Sequence, residues 1–173
     1  MKRLFFALTL TASTLAFAAE DIRIDLAAKT GLICNSVSKG VTGSPARWMK
    51  ERQDQRLLIT AKSGPEWKKH TFTFTPKADG QVEFIIMGNQ RNRDVCYDNV
   101  TIKGAELKNG DFEEMNSKSL PQNWRLRQEE LRSGDAASGK YYVQTNHDKR
   151  ATQIITVKGG QPVEISFMAK AAR

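Results

Sequence analysis

The sequence predicts an all-β protein, and three observations carry that prediction. Short runs alternate apolar and polar residues at the two-residue period of a half-buried strand, as in VCYDNVTI at 95–102, WKKHTFTFT at 67–75 and VEISF at 163–167. Turn-forming residues punctuate them at Gly64-Pro65, Asn109-Gly110-Asp111, Ser138-Gly139 and Gly159-Gly160. No stretch carries a strong helical period. Short strands between turns imply two packed sheets, a β-sandwich.

In chain order, residues 1–18 read as a secretion signal. Lys2 and Arg3 form the basic start, Leu4 to Leu15 the apolar region, and Ala16-Phe17-Ala18 the small-residue cleavage pattern. Residues 19–173 then form a single sandwich, expected in a secreted or periplasmic location. No second apolar stretch is long enough to span a bilayer. Ile22 to Leu26 alternates as a strand, and Leu32 to Val37 reads as its return. Ser38 to Arg56 is polar and turn-rich, with Trp48 among Arg47, Lys50 and Arg52. Leu57 to Thr60 is a short apolar strand. Trp67 to Thr75 alternates, and Val82 to Met87 is apolar on both faces, which predicts a central strand. The polar loop Gly88–Arg93 leads into Val95–Ile102. After Phe112 come an irregular segment, Met115–Gln122, and Trp124. Strands at 141–144, 153–157 and 163–167 complete the series.

The net charge of +8 favours acidic surfaces or acidic glycans, with a solvated basic surface as the alternative. The basic residues are scattered, and no nucleic-acid motif accompanies them. Cys34 and Cys96 leave two readings open, a disulfide in an oxidising compartment or two buried thiols. No catalytic motif is present: HExxH, GxSxG and a phosphate loop are all absent, and His70 and His147 are the only histidines. The neighbouring carboxylates Glu113-Glu114 and Glu129-Glu130 point apart on an extended chain, a poor geometry for an acid/base pair. A non-catalytic protein is expected.

YDNVTI at 97–102 resembles the closing strand of carbohydrate-binding, galactose-binding-like β-sandwich modules, and KNGDFEE at 108–114 resembles their opening strand. NGDFEE, Trp124, GKYY, ATQIITV, GG and ISFMAKA follow the order of the first half of such a module. IDLAAKT, WKKHTFTFT, QVEFIIM and VCYDNVTI follow the order of its second half. The resemblance covers nearly all of 19–173, with 19–106 similar to the C-terminal half and 107–173 to the N-terminal half. It implies a jelly-roll sandwich in circularly permuted order. An Ala-Lys strand occurs twice, at 22–30 and 163–171. A module has one slot for it, which leaves two arrangements: a closed permuted monomer with a spare, swap-prone strand, the favoured one because the joining segment is short and the length fits one module, or a homo-oligomer formed by strand exchange.

The resemblance also implies a structural Ca2+ ion at Asp98 and Glu113, with carbonyls from the Ser133–Gly139 turn, and it places Trp67 and Trp124 in the core. For a glycan, an aromatic ring stacks on the apolar face of a pyranose while amides and guanidinium groups bond its hydroxyls. Trp48 is the candidate exposed aromatic. Tyr142 follows, since Tyr141 and Val143 take the inner face, and Gln144 shares its side. Asn89 and Arg91 lie in the loop before the closing strand. The expected function is carbohydrate binding; the alternative is a structural or adhesion protein of the envelope.

Overall fold

A computed structural model describes strand backbones at 22–27, 34–37 and 42–43, and residues 56–61, 63–76, 79–88 and 90–172. The expected signal segment, Trp48, Asn89 and the side chain of Cys34 lie outside the described residues. The strands are β1 (Ile22–Ala27), β2 (Cys34–Val37), β3 (Thr42–Gly43), β4 (Arg56–Ala61), β5 (Lys68–Pro76), β6 (Gly80–Met87), β7 (Val95–Lys103), β8 (Leu131–Ser133), β9 (Tyr141–Thr145), β10 (Arg150–Val157) and β11 (Val163–Ala171). The one described helical piece is the 3-10 turn Gln128–Glu130. The all-β expectation therefore holds.

Two sheets form, a five-stranded one in the order β10-β6-β4-β1-β3 and a six-stranded one in the order β2-β5-β11-β7-β9-β8. From β4 to β7 and from β9 to β11 the chain changes sheet at every step. The two sequence halves interleave: β11 lies between β5 and β7, β9 pairs with β7, and β10 pairs with β6. Each half thus completes the other's sheets. The two Ala-Lys strands do not compete for one slot. β11 is central in the six-stranded sheet, whereas β1 pairs with β4 in the other, so neither copy is left over.

Alternation dictates the core. Phe72 and Phe74 of β5, Val82, Phe84 and Ile86 of β6, and Val163, Ile165 and Phe167 of β11 fill the space between the sheets. Each large side chain buried there stabilises the fold by about 1.5–3 kcal/mol. Phe112 and Trp124 pack together at 5.0 Å in the same core, as expected for Trp124. Gly110 is required by close approach: its carbonyl accepts the Val100 N–H at 2.8 Å, and a Cβ would lie 1.8 Å from the Val100 carbonyl oxygen.

Tyr97 ties the sheets together. It rises from β7, and its hydroxyl accepts the Ala61 N–H and donates to the Met87 carbonyl of the opposite sheet, both at 2.8 Å. Tyr97→Phe leaves both groups without a partner in a dry interior. The expected loss is about 2–4 kcal/mol in chemical denaturation, with little change in the denaturant slope.

Cys96 is a free, buried thiol. It lies on β7, three strands away from β2 in the same sheet. Strand spacing makes that separation roughly 14 Å, well beyond the reach of a disulfide. Of the two readings the sequence leaves open, the structure favours the one with Cys96 as a buried thiol, and burial pushes its pKa up to about 11.

Candidate functional site

The outer face of the six-stranded sheet carries a cluster built by strand parity. On β5, His70, Phe72 and Phe74 point inward, so Trp67, which shares the phase of Lys69 and Thr71, falls on the outer side. On β9, Val143 and Thr145 are buried while Tyr142 and Gln144 face outward, as the sequence predicts. On β11, Phe167 and Ala169 point in and Lys170 points out. Arg132 of β8 stands opposite Tyr142.

These residues meet. The Trp67 and Tyr142 rings are 5.7 Å apart and nearly perpendicular, at 86°, and both are half-buried. Their edge-to-face arrangement makes an aromatic corner. The Lys170 ammonium, 6 % exposed, lies 4.6 Å from the Trp67 ring centre and 5.5 Å from that of Tyr142. It donates to the carbonyl and the carboxylate of Asp135, and the Trp67 indole N–H donates to the same carbonyl at 3.0 Å. A buried ammonium with a carboxylate and two aromatic rings is compensated, and it fixes both rings. Trp67 is therefore not a core residue, contrary to its expected place.

A polar row continues from the corner. The Arg132 Nε–H donates to the Gln144 side-chain oxygen at 3.2 Å, and the Gln144 amide donates to Asp94 at 2.6 Å. Asn146 donates to the other Asp94 oxygen at 2.9 Å. Asn146 also accepts the Asp148 N–H at 2.9 Å, and Arg91 reaches the Asp148 carboxylate at 3.5 Å. Tyr142 and Gln144 thus sit at the cluster, while Arg91 stands at the far end of the row, in an exposed turn. No protein-family model, curated protein or solved structure matches the chain significantly.

Asp98 and Glu113 hold the loop that covers this face. Asp98 is fully buried; one of its oxygens accepts the Asn99 N–H at 2.7 Å, and the other accepts those of Ala137 and Ser138 at 2.8 and 3.0 Å. Glu113 accepts the Lys140 and Tyr141 N–H groups at 2.6 and 2.8 Å. Gly139 is needed here, because its φ is +61° and a Cβ would lie 2.4 Å from a Glu113 oxygen. The two carboxylates do converge on one loop, as predicted. That loop turns N–H donors toward them, however, whereas a calcium site needs oxygen ligands. Among the described residues no group of three or more His, Cys, Asp or Glu side chains is placed to hold a metal.

The remaining titratable candidates behave as structural groups. His70 stacks on the core residue Phe167 at 5.4 Å, and His147 bonds Asp148 at 3.0 Å on an exposed turn. Glu129 is exposed beside Arg127, whereas Glu130 is 2 % exposed and accepts the Arg127 N–H at 2.8 Å. Burial pushes both Glu130 and Asp98 above the ordinary carboxylate range, although backbone N–H bonds oppose the shift. The folded state therefore holds these protons more tightly than the unfolded state does. Their stabilising contribution is full below the ordinary values, about 4, and is lost as pH rises through the raised values. Melting temperature should fall across that window in low salt, and Glu130→Gln should flatten the fall.

Proposed function

We propose that the protein is a secreted, non-catalytic carbohydrate-binding β-sandwich that takes glycans on the outer face of its six-stranded sheet. The observation that carries this reading is the perpendicular Trp67–Tyr142 corner, 5.7 Å between ring centres, beside Arg132 and Gln144. Two rings offer apolar surface to the C–H face of a sugar. The guanidinium and amide groups are held by their own partners and present donors and acceptors to hydroxyls. Pre-organisation by Lys170 and Asp135 lowers the ordering cost of binding. The net charge of +8 favours acidic sugars over neutral ones at low ionic strength.

The fold belongs with this reading as a jelly roll of the galactose-binding-like kind, in circularly permuted order; the interleaving of the two halves supports it. Calcium at Asp98 and Glu113 is a separate proposal, tested by melting with and without a chelator. For the sugar, affinity electrophoresis through gels containing a neutral β-glucan or a uronate polysaccharide is the direct test. Retardation by either polymer, abolished in Trp67→Ala and Tyr142→Ala, is the expected result. Migration unaffected by both polymers rejects the reading.

A further inference from the structure

β10 borders the five-stranded sheet and is paired with β6 on one side only. On its other side, Thr152 exchanges both backbone hydrogen bonds with Arg125, at 2.8 and 3.0 Å. The backbone groups of Thr152 therefore point away from β6. In an antiparallel ladder that orientation recurs at every second residue, so the N–H and C=O of Ile154 and Thr156 point outward too. Among the described residues no backbone group meets them.

Chain segments reach this edge at two points, where the Arg125 backbone bonds Thr152 and the Lys108 backbone bonds the Gln153 side chain, but the strand itself carries none of the usual protection. Edge strands are commonly blunted by charges, proline or bulges. Residues 151–157, ATQIITV, contain no charged residue, proline or glycine. The register with β6 runs without a bulge. Ile154 is 55 % exposed and is the one exposed large hydrophobic side chain among the described residues. An uncharged, β-branched segment of this length is the kind that pairs with its own copy. The flanking groove, lined by Glu106, Lys108, Asn123, Gln153, Ile154 and Thr156, holds about 410 Å³. Its two charges, Glu106 and Lys108, pair with each other at 3.3 Å, so the groove favours neither an acidic nor a basic partner.

We propose that β10 pairs antiparallel with β10 of a second copy of this chain, about a two-fold axis at Ile155. Ile154 then exchanges backbone hydrogen bonds with Thr156 of the partner subunit, and the symmetry repeats the pair. The two five-stranded sheets join edge to edge. Ile154 packs across the new strand pair against the β-branched Thr156 of the partner subunit, and its exposed surface is buried. The Arg125 bridge at Thr152 limits the open edge and fixes the register. Unlike strand exchange, this assembly requires no element to leave its own fold.

The test is light scattering on the full chain over a concentration series, with two variants. Ile154→Lys places a charge on the edge. Thr156→Pro removes an N–H that the β6 ladder does not use. The parent mass should double as concentration rises, and both variants should remain monomeric with unchanged melting. A parent that stays monomeric throughout overturns the proposal, as do variants that dimerise like the parent. A monomer whose β10 amide signals move on addition of a synthetic ATQIITV peptide would place a peptide ligand on the edge, and would equally overturn the homodimer.

Discussion

Asp98→Ala is expected to destabilise the protein by about 3 kcal/mol, and to lower its melting temperature by roughly 10 °C for a domain of this size. The carboxylate accepts three backbone N–H groups, from Asn99, Ala137 and Ser138. Alanine removes all three acceptors at a fully buried position. The 134–139 loop then loses its anchor, and with it the position of Asp135, which holds Lys170 and the Trp67 indole. Glycan affinity should fall together with stability. Asp98→Asn keeps one accepting oxygen but turns an NH2 group toward N–H donors, so an intermediate loss is expected. Differential scanning calorimetry separates the two variants. A chelator arm separates the calcium proposal: melting of the parent that drops with chelator, and of Asp98→Ala that does not, would place a metal at the pair. Equal melting with and without chelator leaves the hydrogen bonds as the whole account.

Trp67→Ala is expected to weaken glycan binding by at least tenfold, about 1.4 kcal/mol or more. The substitution removes one wall of the corner and frees the Lys170 ammonium that the ring covers at 4.6 Å. Tyr142→Ala removes the other wall and should cost a similar factor. Trp67→Phe keeps an aromatic surface but loses the indole bond to Asp135, so it should retain part of the affinity. Because Trp67 lies outside the main core, the change in melting should be small beside the change in binding. Matched losses in both would assign Trp67 a structural role only.

Much of the fold was legible because alternation is a local signal. The two-residue period at 67–75, 95–102 and 163–167 marks strands, and the inward phase of Phe72, Phe74, Ile165 and Phe167 follows from it directly. Sheet partners are a different matter. That β11 runs between β5 and β7 depends on contacts distant in sequence, which no local pattern encodes. The placement of Tyr142 and Gln144 on one outward face was readable from parity. The same parity puts Trp67 on the outer side, one step beyond Lys69 and Thr71, whereas the resemblance to carbohydrate-binding modules implies a core position. Lys170 and Asp135 left no signal of their own. Their meeting depends on the 134–139 loop folding back over the sheet, held by Asp98 and Glu113. The convergence of that acidic pair was legible. The polarity of what it would meet was not, because N–H and C=O groups of a turn are indistinguishable in sequence.

The most direct test of the glycan face is the Trp67 indole N–H resonance, followed by heteronuclear NMR while the retained polysaccharide's oligosaccharide is added. The account predicts a saturable shift of that signal, with the backbone signals of Tyr142 and Gln144 moving in step. The Trp124 indole, bonded to the Asn109 carbonyl in the core, should stay still. Saturable binding that leaves Trp67, Tyr142 and Gln144 unmoved would contradict the account and put the sugar on another surface.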